Sequence, residues 1–232
     1  IKNISSKQPQ TPDQALVIVE YALSGGNPVT AMDALRSAPG WGKHSDLVSA
    51  VETYLRGDKA AALQWFDSVK PNDVRGRVRV LIILARGMLD AALDKPEALE
   101  RLSAVRMLAP GTLLDEAATR RIVQIFANEG DMRALMRLAA QYWQRFPRSP
   151  YKKDFERLII DHLVAHDSTN TREGCRRLAS LSQFDRLAAF ASQLARAALF
   201  AGNPDLADFA TSLIPTSQEA GRLASAQRAK LL

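Results

Sequence analysis

The side chains best suited to recognition or chemistry fall between residues 145 and 175. The segment Arg145-Phe146-Pro147-Arg148-Ser149-Pro150-Tyr151-Lys152-Lys153 gathers four cations and two aromatics beside two prolines that stiffen the backbone. Such corners favour partner recognition, because basic and aromatic side chains offer charge-assisted hydrogen bonds and broad contact area. Arg145, Arg148, Tyr151, Lys152 and Lys153 are therefore the candidate partner-binding residues. The competing reading is a solvated turn between two helices. His162 and His166 stand four apart, flanked by Asp161 and Asp167, and two imidazoles at that spacing on a helix can share a metal ion. Leu163 occupies the place where a zinc-protease helix carries glutamate, and the third histidine, His44, is remote. A solvated polar helix end is the better account, and no metal site is assigned.

Cys175 is the sole cysteine, so no internal disulfide can form. It lies among arginines without a histidine–acid pattern, as expected of a small semi-buried side chain rather than a nucleophile. Ser24-Gly25-Gly26-Asn27 lacks the Lys-Ser/Thr that follows a phosphate-binding loop, and a helix rather than a strand precedes it; it reads as a turn. Asn3-Ile4-Ser5 fits the glycosylation sequon, which matters only in a eukaryotic secretory route. No Ser/His/Asp or Cys/His set and no convergent carboxylate pair falls on one face. The expectation is a protein without catalytic residues, cofactor or small-molecule substrate.

The elements that must position these residues are clearest from Met107 to Tyr151. Pro110-Gly111 stops one helix, and Thr112 caps the next, with Asp115 and Glu116 in its first turn beside the positive end of the helix dipole. Gly130 closes that helix and Asp131 caps the following one. There Leu135, Leu138, Ala139, Tyr142 and Phe146 make one apolar stripe. Pro147 ends it, and Ser149-Pro150 restarts the chain as an N-cap with an N1 proline.

The same layout recurs in both directions. Pro12 opens a helix through Ser24, Asn27-Pro28 a second to about Arg36, and His44 or Ser45 a third. Gly57-Asp58 precedes a helix carrying Ala62, Leu63 and Phe66, and Pro71 ends it. Asp73–Leu93 turns at Asp94-Lys95-Pro96 and returns through Leu99, Leu102, Val105 and Leu108. A fifth unit covers Tyr151–Ala165 and Arg172–Leu181 around a polar turn near Asp167–Asn170. The sixth runs from Phe184 through Ala198, turns at Gly202-Asn203-Pro204, and returns through Leu206 and Phe209 to Pro215.

The turns at 26, 57, 94, 130, 167 and 202 are roughly 31–37 residues apart, the period of tetratricopeptide (TPR)-like hairpins. No unit carries the W-x-x-L-G-x-x-Y pattern of that class, so the likeness is geometric. Ordering each residue costs roughly 1–2 kcal/mol of backbone entropy, whereas a buried Leu or Phe returns roughly 1.5–3. One hairpin cannot hold itself together, and its neighbours must cover its apolar face. The expected fold is all-α, a right-handed solenoid of about six TPR-like helical hairpins with a C-terminal helix over residues 216–232. Residues 1–11 form a disordered or linker-like lead-in, and 12–232 form one repeat domain.

Composition narrows the function classes. With 47% hydrophobic and only 6% aromatic residues, the chain can build a core and favours helices over sheets. No run approaches the roughly 18–20 apolar residues of a membrane helix, so the chain is not expected to be membrane-embedded. The net charge of +6 is uneven: residues 1–70 hold seven basic and seven acidic groups, residues 131–232 fifteen and ten. This excess suits an acidic protein partner or an anionic polymer. Without dense basic stripes or interleaved aromatics, nucleic acid is not expected. The chain begins at Ile1 rather than methionine, as expected of a trimmed piece.

Four strings carry a family resemblance. L-A-P-G-T-L-L-D-E-A-A-T-R-R (108–121), Q-R-F-P-R-S-P-Y (144–151), A-G-N-P-D-L-A-D-F-A (201–210) and Tyr21–Pro28 resemble the MotC family of rhizobia and related alphaproteobacteria. The resemblance implies an exported, periplasmic, non-enzymatic flagellar-motility protein. It also implies contact with the periplasmic part of the stator protein MotB, and a signal peptide and flanking sequence beyond this chain. It brings no functional residues onto named positions. The alternative is a general TPR-like scaffold or chaperone that binds extended peptides.

Overall fold

In a computed structural model of the chain, residues 12–37, 42–69, 74–181 and 184–214 are described, and all regular structure among them is helical. The lead-in at 1–11 and the helix expected over 216–232 lie outside the described residues. The helices group into two compact units, Ile1–Arg121 and Ile122–Leu232. The first holds α1 (Pro12–Leu23), α2 (Pro28–Ser37), a 3-10 turn (Gly42–His44), α3 (Ser45–Leu55), α4 (Lys59–Ser68), α5 (Gly76–Ala92) and α6 (Glu97–Leu108). The boundary falls inside α7 (Leu113–Glu129). The second unit continues with α8 (Met132–Arg145), α9 (Lys152–Ala165), α10 (Thr169–Leu181), α11 (Phe184–Phe200) and α12 (Pro204–Ser212).

One turn design recurs inside the hairpins. Gly25, Gly57, Gly130 and Gly202 all have positive φ, and Asp94 takes the same left-handed position with φ 52°. That conformation lets the next amide reach back to close the helix end. Gly26 N–H donates to the Tyr21 carbonyl at 2.9 Å, Lys95 to Asp90 at 2.9 Å, Asp131 to Phe126 at 3.0 Å and Asn203 to Ala198 at 2.9 Å. The helix that follows is capped at once. The side chains of Asn27, Asp58, Asp131 and Asn203 accept from the amides of Thr30, Ala61, Ala134 and Leu206 at 3.1, 3.1, 2.9 and 2.9 Å. Thr112 caps α7 as expected, its Oγ1 accepting from Asp115 N–H at 3.4 Å.

The turn between α9 and α10 is built differently. It carries no positive φ, and Ser168 does the work by accepting from Thr171 N–H at 3.2 Å. Because Ser168 caps, α10 begins at Thr169, three residues before the expected Arg172. Two further expectations are corrected. Pro150 is not a first helical residue, because α9 starts at Lys152 and Ser149 Oγ instead accepts the Tyr151 amide at 2.9 Å within the turn. On α6 the buried face is Ala98, Leu102 and Val105, while Leu99 is half-buried and Leu108 exposed. The rotation follows from close packing on α5, where a side chain at Gly87 would meet Leu102 at 3.0 Å.

The core of the first unit is apolar, with Val19, Leu35, Leu47, Val51, Leu63 and Phe66 essentially sealed. It also encloses a carboxylate. Asp90 on α5 is 1% exposed and pairs with Arg101 of α6. Arg101 also lies 3.7 Å from Asp67 at the end of α4, which Arg86 of α5 bonds as well. Three helices are thereby cross-linked by charge. Burial pushes the Asp90 carboxyl above its ordinary range, and Arg101 opposes that rise. Asp115 is fully buried too: its carboxylate accepts from Gly111 N–H at 2.8 Å and from the Thr119 hydroxyl at 3.4 Å, with Arg106 Nε at 3.5 Å. It fastens the Pro110-Gly111 turn, which is more than a favourable position beside a helix dipole.

In the second unit Asp167 plays the corresponding part. Arg172 grips it with two bonds of 2.9 and 2.7 Å, and Asn203 Nδ2, from the cap of α12, donates to it at 3.1 Å. The guanidinium bonds hold the Asp167 carboxyl below the usual carboxylate range, burial opposes them, and Asn203 adds to the lowering. A depressed folded-state value stabilises the fold above the unfolded value and is lost as pH falls through the folded one. Asp167→Asn should therefore lower the melting temperature most near neutral pH. The gap to the parent should close as pH drops below about 4, which thermal unfolding across pH will show.

Candidate partner-binding corner

The corner at 145–153 is an aromatic wedge with cations outside. Helix α8 ends where Pro147 denies it further amides, and Phe146 N–H closes on the Tyr142 carbonyl at 2.8 Å. Phe146 turns inward and is 9% exposed, so of the two aromatics in the segment only Tyr151 is presented to solvent. Beneath the turn the Tyr142 ring stacks on Phe155 of α9, centroids 3.8 Å apart, and meets Phe146 at 5.3 Å. Tyr142 Oη donates to Ser149 Oγ at 2.9 Å, and Ser149 N–H returns to the Phe146 carbonyl at 3.2 Å. These contacts tie the turn to the core and aim its remaining side chains outward.

Arg145, Arg148, Tyr151 and Lys153 are all exposed, while Lys152 is half-buried and paired with Glu156 at 3.6 Å. Arg148 and Lys153 have no charge partner among the described residues. Lys152 and Lys153 open α9 at the positive end of its dipole, where cations are unfavourable. The Glu156 pair one turn on accounts for Lys152, whereas helix stability gives no reason for Lys153. Arg145, in the last turn of α8, does favour its helix.

The other chemistry-bearing residues are elsewhere occupied. The His162 and His166 rings stack with centroids 4.3 Å apart, and His166 Nδ1 lies 3.1 Å from the His162 carbonyl oxygen. Burial, then the charge of His166, lowers the His162 pKa. No group of three or more His, Cys, Asp or Glu forms a metal site among the described residues. Cys175 is buried, and burial pushes its thiol up to about 12, which suppresses the reactive thiolate. Ser24–Asn27 is a turn, with the Tyr21 hydroxyl accepting from Asn27 N–H at 2.9 Å. A side chain at Gly26 would meet the Tyr21 carbonyl oxygen at 2.5 Å.

What reading the sequence missed is a face shared by α8 and α10, lined by Arg133, Arg137 and Arg177. Residues from helices more than 30 positions apart carry no common local signal. Among the described residues no helix is long and apolar enough to cross a membrane.

Comparison with known proteins agrees with the four strings. The family model described as "Chemotaxis protein MotC" matches residues 8–232. The chemotaxis protein MotC of Rhizobium meliloti (strain 1021) is 30% identical over 206 residues, covering 88% of this chain and 46% of that relative. The chain thus spans less than half the length of the curated relative it matches. No solved structure matches it significantly. With the family match running through all twelve helices of the described residues, the chain belongs to the MotC family.

Proposed function

We propose that this chain is a non-enzymatic periplasmic protein of flagellar motility, which supports motor rotation by binding the periplasmic part of the stator protein MotB. The family match over residues 8–232 carries the reading, and the relative named for chemotaxis supports it. In this view the helices are TPR-like hairpins of one right-handed solenoid domain over 12–232, as favoured by the recurrent left-handed turn and Asx cap. The outward cations of the 145–153 corner engage acidic groups of the stator partner, and Tyr151 supplies the apolar contact.

Capture of the MotB periplasmic domain by the immobilised chain tests this. The parent should retain the domain, and Arg148→Glu with Lys153→Glu should weaken retention by about tenfold or more without changing thermal unfolding. No retention by the parent, together with normal swimming of a deletion strain, removes the reading. The repeated hairpin turn also favours a second reading, a general scaffold or chaperone for extended peptides. Broad binding on a peptide array, with no preference for MotB segments, would select it.

A further inference from the structure

Helices α8 and α10 pack side by side and leave a groove of about 480 Å³ within the second unit. Its floor is Met132 and Met136. Gly174 lets these thioethers lie against the α10 backbone, since a Cβ there would come within 2.8 Å of Met136 Cγ and 3.2 Å of Met132 Cγ. Its rims are Arg133 and Arg137 on α8 and Arg177 on α10. The two carboxylates nearby are already engaged: Asp131 caps α8, and Glu173 holds Arg177 at 2.8 Å. Arg133 and Arg137 are exposed and have no partner among the described residues. Like charges four apart on a helix repel weakly, so these two cations do not stabilise α8 through each other and stand open to an anionic group.

We propose that this groove binds an acidic segment of a partner protein, anchored by an apolar side chain. Guanidinium groups take carboxylates in paired, planar hydrogen bonds, and methionine adapts to apolar groups of varied shape. The apolar floor selects polypeptide over a bare polyanion, which would contact the rims alone. The groove is distinct from the 145–153 corner and does not depend on the stator reading, because its test uses no MotB.

The probe is a fluorescein-labelled peptide alternating glutamate and leucine, followed by fluorescence anisotropy. The intact chain should bind it, and Arg133→Glu with Arg137→Glu should weaken binding by about tenfold or more. Arg79→Glu with Arg196→Glu, at exposed positions on α5 and α11, should leave binding unchanged. A polyglutamate peptide and phosphatidylglycerol vesicles should bind more weakly than the probe. If the charge reversal shifts thermal unfolding, Arg133→Gln with Arg137→Gln serves in its place and should also weaken binding. Equal affinity of parent and groove variants overturns the proposal. So does binding of polyglutamate or vesicles as tight as that of the probe.

Discussion

Arg101→Met is expected to destabilise the first unit by about 3–5 kcal/mol, the usual cost of stranding one partner of a buried ion pair. The substitution keeps most of the side chain's volume, so the loss reports charge rather than a cavity. Asp90 is 1% exposed; Arg101 bonds its Oδ2, and its Oδ1 has no hydrogen-bond partner among the described residues. Without Arg101 it would sit charged in an apolar layer. Its carboxyl, already raised by burial, would then rise further, because Arg101 is the main group holding it down. A raised folded-state value penalises the fold above that value, and the penalty fades as pH falls through it. The Arg101→Met defect should accordingly shrink in acid, beginning at a higher pH than for Asp167→Asn, because the Asp90 value is raised where the Asp167 value is lowered. Asp90→Leu added to Arg101→Met should recover much of the loss, since a well-packed apolar pair often matches a buried ionic one. Denaturant unfolding of the two variants across pH decides this; an additive double variant would show that the pair is not coupled.

Tyr142→Ala is expected to cost a similar amount, about 3–5 kcal/mol, by opening a cavity under the basic corner. Tyr142 is 1% exposed, stacks on Phe155 and holds the turn through Ser149. Tyr142→Phe retains the ring and removes one hydrogen bond, so its cost should be nearer about 1 kcal/mol. The pair separates two duties. If the ring sets stability and the hydroxyl sets the turn, Tyr142→Phe should melt close to the parent yet bind the corner's partner more weakly. A Tyr142→Phe variant that loses stability as severely as Tyr142→Ala would refute that division.

Local physics made much of this molecule readable in its residues. Glycine or Asx at a left-handed position followed by an Asx cap announces a helix reversal. Gly57-Asp58, Gly130-Asp131 and Gly202-Asn203 were legible because backbone sterics and capping act within five residues. The stripe Leu135, Leu138, Ala139, Tyr142 and Phe146 is buried as its period requires. The all-helical class follows from these same short-range rules, and family membership was visible in four short strings.

What sequence could not supply depends on contacts between distant residues. Leu99 and Leu108 carry the same apolar weight as Leu102, and only the close approach of Gly87 determines which of them faces α5. Asp90, Asp115 and Asp167 look like ordinary polar residues until arginines from other turns or helices meet them. The Arg-rimmed groove exists only because α8 lies beside α10. Hydrophobic period and turn chemistry determine where the chain bends, whereas burial, charge pairing and the exposed surface are decided by which helices come to rest against one another.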